Sequence, residues 1–157
     1  MKIVDILKPV FIKLPLNSST KPDSIKELLA SINRNDIIRD QEKVLNAVFE
    51  REKIMSTGVG NGVAIPHCKH SDCKEFAVAL GISKEGVDFD AIDKKPANII
   101  FLLIGPEDQP GIHIRLLSRI SRIISKDEVR QNVLKCETPQ QLHDLLSVEE
   151  SKLFGKN

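Results

Sequence analysis

The feature that most constrains the fold is a continuous apolar run, ANIIFLLIGP, in the second half of the chain. Its unbroken apolar part, Ile99–Ile104, is far too short to cross a bilayer. A run of this length without alternation predicts a β-strand that is covered on both faces. Such a strand needs further layers of structure on either side of its sheet.

Helical and strand patterns alternate around this run. GVAIPH and FAVALGIS precede it, and each reads as a strand, the first of which ends at His67. Helical apolar stripes are predicted at Ile25, Leu28, Leu29 and Ile32, at Val44, Leu45, Val48 and Phe49, and at Leu116, Leu117, Ile120, Ile123 and Ile124. Helices before, between and after strands predict an α/β fold, a single layered domain over residues 1–157 with a mixed β-sheet flanked by helices.

Capping residues mark several helix ends. Ser19 or Thr20 is expected to cap the first long helix, and Asp40 is expected to cap the second. Two further helices are predicted near the C-terminus, one over Asp127–Lys135 and one that begins at Thr138. There the TP pair suits a cap followed by a first turn.

Composition excludes several classes of function. The formal net charge is +1, with acids and bases mixed along the chain, so we expect no nucleic-acid partner. No segment resembles a signal peptide or a membrane span, so we expect no direct membrane insertion. The cysteines, Cys68, Cys73 and Cys136, form an odd and sparse set that suits reduced thiols. Together these features predict a cytoplasmic protein.

The most informative segment is REKIMSTGVGNGVAIPHCKH, residues 51–70. Its glycines, Gly58, Gly60 and Gly62, permit unusual backbone geometry and let a charged ligand approach main-chain N–H groups. The loop lacks the GK[ST] ending of a nucleotide-binding P-loop, and its spacing does not match GxGxxG. On its own, this loop predicts no more than a tight turn.

Polar side chains near the loop favour a functional site. His67 lies at the predicted end of a strand, a common place for functional side chains in α/β domains. Ser56 and Thr57 supply hydroxyls in the loop, and Arg51 lies at the end of the preceding helix. His113 starts the helix IHIRLLSRISRII, where first-turn N–H groups and the helix dipole favour a bound anion. A lone histidine is usually structural, so the prediction depends on this whole group.

These motifs resemble the type 2 enzyme IIA domains of the bacterial phosphoenolpyruvate-dependent phosphotransferase system, the fructose, mannitol and nitrogen-regulatory group. GVAIPH is similar to the family signature that ends in the phosphorylated histidine. Other matches stand in the right order: ERE before STGVGNG, FDAID at Phe89–Asp93, IIFLLIGP, and the H-x-x-L-L spacing from His113. At Cys68 the family often has glycine, and a small residue is kept here. The resemblance covers nearly the whole chain.

The resemblance implies a phosphotransferase component that works through a phosphohistidine. His67 would accept the phosphoryl group on Nε2, His113 would be the second active-site histidine, and Arg51 the active-site arginine. A neutral imidazole is nucleophilic near physiological pH, and phosphoryl transfer mostly needs positioning and charge stabilisation. This scheme requires no cofactor and no metal.

Three loop residues are further candidates for binding the phosphoryl oxygens. They are Ser56, Thr57 and Gly58, through hydroxyl or main-chain N–H groups. The alternative for the two hydroxyls is that they only cap the turn.

Two roles remain open within the family. A sugar-uptake component would take phosphate from the phosphocarrier HPr and pass it to a IIB domain, as in fructose- or mannitol-type transport. A nitrogen-regulatory relay would instead control partner proteins by its phosphorylation state. Nothing in the sequence identifies a sugar.

A small zinc-binding structural protein is the alternative from another class. HCKHSDC brings His67, Cys68, His70 and Cys73 into one short segment, and these are good zinc ligand types. The segment has neither a CxxC nor an HxxxH pair, and no second ligand cluster follows it. We therefore expect no metal site.

Arginines recur at helical spacing after His113, at Arg115, Arg119 and Arg122. This spacing predicts a stripe on the exposed face of the helix. The stripe would be solvated charge or, alternatively, a docking surface for a partner.

Overall fold

The computed structural model describes residues 1–33 and 36–155. The strands in these ranges are β1 (Ile12–Lys13), β2 (Gly58–Gly60), β3 (Val63–Ala64), β4 (His67–Lys69), β5 (Ala77–Val87) and β6 (Ala97–Gly105). The helices are α1 (Ile3–Ile6), α2 (Lys21–Asn33), α3 (Gln41–Ile54), α4 (Pro110–Ile124), α5 (Asp127–Lys135) and α6 (Pro139–Phe154). A 3-10 turn, Pro9–Phe11, joins α1 to β1.

The apolar run forms β6, the strand on which the sheet is built. β6 pairs antiparallel with β5 on one side and parallel with β3 and β4 on the other. β1 pairs with β5 in parallel, and β2 pairs antiparallel with β3. Every residue of β6 is buried except Asn98, which is half-buried. The predicted α/β fold with a mixed sheet is therefore confirmed, as is the strand covered on both faces.

The helices flank this sheet in two groups. α2 and α3 pack against each other, with α2 also contacting β5 and α3 contacting β4. α1, α4, α5 and α6 form the second group, in which α4 contacts the other three. The core between the layers is mainly aliphatic, with Phe11, Phe89 and Phe101 as its largest fully buried side chains. This composition follows from the scarcity of aromatic residues in the chain.

The predicted strand GVAIPH is interrupted, which changes the position of His67. β3 ends at Ala64, and His67 begins β4 instead of ending a strand. Pro66 has no N–H to donate, so the chain cannot continue an unbroken ladder through it. Its carbonyl still accepts a hydrogen bond from the backbone N–H of Leu103 at 3.0 Å, which keeps the segment against β6.

The predicted helix caps are present. The Thr20 hydroxyl accepts a hydrogen bond from the N–H of Asp23, and the Asp40 carboxylate accepts one from Lys43. Thr138 caps α6 in the same way, with proline in its first turn. Each of these side chains satisfies a backbone donor that has no partner inside its helix.

A buried carboxylate attaches the N-terminal helix to α6. Glu150, which is 1% exposed, accepts backbone hydrogen bonds from Ile3 at 2.7 Å and Val4 at 3.1 Å. Its counter-charge is Arg119, whose Nε donates to the same carboxylate at 2.9 Å and whose guanidinium stacks on Phe154. The prediction of an exposed arginine stripe is therefore wrong at Arg119, because this side chain is half-buried in an ion pair.

We expect Glu150→Ala to lower the free energy of unfolding by about 3 kcal/mol, because it leaves Arg119 and two backbone donors without their acceptor. Glu149→Ala is the matched control, since the Lys152 partner of Glu149 stays solvated, and should cost less than about 1 kcal/mol. Urea denaturation of both variants measures the difference. Equal losses would show that the buried pair has no special part in stability.

Candidate active site

A cavity of about 680 Å³ opens between the end of α3, strand β4 and the start of α4. Arg51 and Lys53 line it from α3, His67 and Lys69 from β4, and His113 from α4. Three elements that are distant in sequence thus bring His67, His113 and Arg51 to one cavity. This cavity is the candidate active site.

The orientation of the His67 ring follows from one hydrogen bond. Its Nδ1 lies 2.8 Å from the carbonyl oxygen of Ile65. A carbonyl can only accept, so Nδ1 carries the proton and Nε2 of the neutral ring keeps its lone pair. Burial is the main cause that lowers the pKa of His67. The Ile65 hydrogen bond is the next largest effect and raises the pKa in part, and the lowering effects of Arg51 and Lys69 are opposed by the raising effect of Glu52. The result is a neutral ring with Nε2 as its free nucleophile.

His113 is buried next to His67 without a hydrogen-bond partner. The two ring centroids lie 5.6 Å apart, and the planes are tilted by 52°. His113 is 3% exposed, and neither of its ring nitrogens contacts a partner among the described residues. Burial, followed by the charges of His67 and Lys69, lowers the pKa of His113 to about 4. At neutral pH it is therefore an uncharged ring with an N–H that is available to an incoming acceptor.

Arg51 lies in the last turn of α3, and its side chain is hydrogen-bonded to the backbone that follows the helix. One guanidinium nitrogen, Nη1, donates to the carbonyl oxygen of Met55 at 3.0 Å. This bond uses only part of the guanidinium, which has five N–H donors in a fork that matches phosphate oxygens. Arg51 is half-buried at the cavity, so its charge can act on an anion bound at His67.

The loop residues Ser56, Thr57 and Gly58 do not line this cavity. The Thr57 hydroxyl donates to the carboxylate of Glu52, and the Ser56 hydroxyl donates to the carbonyl oxygen of Phe89. The N–H of Gly58 donates back to the Ser56 hydroxyl at 3.0 Å. These groups therefore stabilise the loop itself, and the geometry offers no support for the expected phosphoryl contacts.

Gly58 also has a steric role. A Cβ added there would lie 2.9 Å from the Cβ of Ala91, closer than side-chain atoms normally approach. Glycine at this position lets the loop pack against the segment that contains the FDAID motif.

Glu52 is a buried residue whose importance the sequence did not reveal. Its carboxylate accepts from the N–H and hydroxyl of Thr57 and forms an ion pair with Lys21 at 2.6 Å. It thereby connects α2, the end of α3 and the glycine loop next to Arg51. In the sequence, its position within the ERE motif is the feature that could have pointed to this residue.

The residues proposed for zinc do not form a ligand set. Nδ1 of His67 is hydrogen-bonded to Ile65, and Nδ1 of His70 accepts from the N–H of Asp72 at 2.9 Å. In residues 1–33 and 36–155, no group of three or more His, Cys, Asp or Glu side chains could hold a metal ion. The zinc hypothesis therefore has no supporting geometry in this part of the chain.

Comparison with known proteins identifies the family. The model described as "Phosphoenolpyruvate-dependent sugar phosphotransferase system, EIIA 2" matches residues 5–148. The chain belongs to this family. It is therefore a phosphotransferase-system component, as the motifs around His67 predicted.

Curated relatives and solved structures agree with this assignment. The fructose-specific EIIA component of Haloferax volcanii is 35% identical, covering 94% of this chain and 97% of that protein. The fructose-specific EIIABC component of Bacillus subtilis is 33% identical over 94% of this chain, which spans only 23% of that longer protein. The crystal structure of nitrogen regulatory protein IIA-Ntr from Neisseria meningitidis has a TM-score of 0.86 and 32% identity, covering 92% of this chain and 98% of that one.

None of the helices in the described residues has both the length and the apolar character that a membrane span requires.

The burial of His113 predicts a pH dependence of stability. Between about pH 6.5 and 4, the unfolded chain protonates His113 at its ordinary pKa while the folded ring stays neutral. Protons thus favour the unfolded state, and the free energy of unfolding should fall by up to about 3 kcal/mol as the pH drops through this window. His113→Leu should reduce that slope and be no less stable at neutral pH, because it removes an unpaired buried polar group. Urea denaturation at a series of pH values tests both, and an unchanged slope would contradict the assignment.

Proposed function

We propose that this protein carries a phosphoryl group on Nε2 of His67, receiving it from an HPr-type phosphocarrier and passing it to a IIB domain in fructose- or mannitol-type sugar uptake. The observation that carries this proposal is the hydrogen bond from Nδ1 of His67 to the Ile65 carbonyl, which leaves Nε2 free beside Arg51. Family membership supports the same reaction class.

The chemistry at His67 is a direct displacement at phosphorus. The lone pair on Nε2 forms the N–P bond while the bond between phosphorus and the donor breaks. This attack places positive charge on the imidazole ring, and the Ile65 carbonyl stabilises that charge through the Nδ1–H it already binds. The resulting N–P bond is labile, so the same group can leave again to an acceptor.

Arg51 and His113 would stabilise the charge that develops on the phosphoryl oxygens. The guanidinium can donate two parallel hydrogen bonds, which suits a phosphoryl group. The buried N–H of His113 lacks a partner before the reaction, so a phosphoryl oxygen would supply the acceptor it needs. The site is thus better satisfied when the phosphoryl group is present than when it is absent.

Sugar uptake is the preferred role because a curated relative of nearly the same length is a fructose-specific EIIA component. The Bacillus subtilis relative, named EIIABC, joins an A component to B and C components in one chain. This supports a IIB domain as the acceptor for a IIA protein of the same type. We also propose that the protein acts in the cytoplasm.

A nitrogen-regulatory relay is the second candidate. It is favoured by the similarity to the Neisseria meningitidis IIA-Ntr structure and by a Pseudomonas aeruginosa nitrogen regulatory protein that is 35% identical over 107 residues. Rapid transfer from the phosphorylated protein to a fructose-type IIB domain would support the first role. Retention of the phosphoryl group in that assay would favour the second.

We expect His67→Ala to fold normally but to gain no phosphoryl group from phosphoenolpyruvate, enzyme I and HPr, because it removes the nucleophile. His143→Ala is the matched control, since His143 lies outside the cavity with Nε2 2.9 Å from the Val4 carbonyl oxygen. Intact-mass measurement after incubation reads out both variants. Phosphorylation of the His67 variant at the wild-type rate would refute the proposal.

Substitutions of Arg51 separate charge from geometry. We expect Arg51→Lys to slow single-turnover transfer markedly, because it keeps the charge but loses the planar fork, and Arg51→Ala to slow it further. Loss of one positioned donor typically costs about 10²–10³ in rate. Thermal melting should remain close to wild type, since the side-chain hydrogen bond of Arg51 to Met55 is local and exposed. Wild-type transfer rates in both variants would remove Arg51 from the mechanism.

A further inference from the structure

Among the three residues considered so far, Arg51 alone directs a positive charge at the phosphoryl oxygens. A phosphoryl group carries a charge of about −1.5 to −2 near neutral pH. His113 supplies a hydrogen bond but no charge, because burial keeps its ring neutral, and the charge that forms on the His67 ring lies at Nδ1–H, against the Ile65 carbonyl. A second cation that faces the oxygens would therefore stabilise a dianion at His67.

Lys69 is positioned to be that cation. It lies two residues after His67 on β4, and alternate residues of a strand point to the same side. Cys68, between them, points the other way and is buried, with its Sγ 3.8 Å from the Val44 carbonyl oxygen. Lys69 is exposed and lines the same cavity as His67 and His113.

The neighbouring lysine is already paired, whereas Lys69 has no side-chain partner in the described part of the chain. The ammonium of Lys53, the other lysine at this cavity, lies 2.9 Å from the Glu50 carboxylate. Within residues 1–33 and 36–155, Lys69 forms neither a salt bridge nor a side-chain hydrogen bond. Its positive charge also lowers the pKa of both His67 and His113, as expected of an ammonium group near both rings.

We propose that Lys69 is a further catalytic residue, whose ammonium contacts the phosphoryl oxygens on His67 and supplies the second positive charge of the site. During transfer the N–P bond forms at Nε2 as the donor's bond to phosphorus breaks, and Lys69 keeps its proton throughout. Lys69 stabilises both the transition state and the phosphorylated protein, because the negative charge on the oxygens is present in both. This inference rests on the proposed function of His67.

The test compares Lys69→Gln and Lys69→Arg with Lys84→Gln, a matched control that removes an exposed lysine of β5 outside the cavity. Phosphorylated HPr is the phosphoryl donor. With a fructose-type IIB domain as acceptor, steady-state kinetics give kcat and the KM for phosphorylated HPr; without the acceptor, intact mass gives the equilibrium share of phosphorylated protein. We expect Lys69→Gln to lower kcat and the phosphorylation equilibrium constant about ten-fold each, Lys69→Arg to restore most of both, and Lys84→Gln to resemble wild type. Thermal melting should not change, because Lys69 is exposed.

Two results would overturn the role of Lys69. If Lys69→Gln raises KM but leaves kcat and the equilibrium unchanged, Lys69 only attracts the donor protein. If Lys69→Gln and Lys84→Gln behave alike, the charge of Lys69 has no specific contact. In both cases wild-type protein phosphorylated on His67 leaves the proposed function intact. Wild-type protein that takes up no phosphoryl group, or that takes it up without His67, refutes both proposals.

Discussion

The pairing of β6 with its neighbours is the constraint on which the site depends. β6 is buried along its length and binds β3 and β4 one after the other on a single side, opposite β5. The chain between β3 and β4 must therefore leave the ladder and return to it, and Pro66 allows this because it has no N–H to pair. At the break, the Ile65 carbonyl is free to accept from His67, while Pro66 remains bound to Leu103. The interruption in the sheet thus creates the hydrogen bond that orients His67, the proposed nucleophile.

Both histidines of the site are neutral and line the same cavity as the cations Arg51 and Lys69. Burial of His67 and His113 disfavours their charged forms, and Lys69 acts in the same direction on both rings, as Arg51 does on His67. This arrangement has a cost, because the buried N–H of His113 has no partner among the described residues. The proposed phosphoryl group on His67 would relieve that cost and meet the positive charges at the same time. The unsatisfied N–H of His113 is therefore the same group that would stabilise the proposed phosphoryl group.

Residues that act locally were predictable from sequence. Asp40 and Thr138 each cap the N-terminus of the helix that follows, as predicted, because capping needs only neighbouring backbone groups. Contacts between distant segments were not predictable. The hydroxyls of Ser56 and Thr57 fitted a phosphoryl site by composition, but both are bound by structural partners. Arg119 fitted an exposed helix face, but its guanidinium donates to the buried carboxylate of Glu150, 31 positions further along the chain.

The sequence by itself determined the class of fold and the family, and it predicted His67 as the nucleophile. Its apolar run specified a doubly covered strand, and GVAIPH marked His67, because hydrophobic periodicity and short motifs are local properties of the chain. Only the tertiary structure decided which side chains surround Nε2. Strand pairing and helix packing bring α3, β4 and α4 together, and they determine which polar groups are already satisfied by neighbours. For that reason Lys69, which has no motif of its own, becomes a proposed partner of the phosphoryl group only through the folded arrangement.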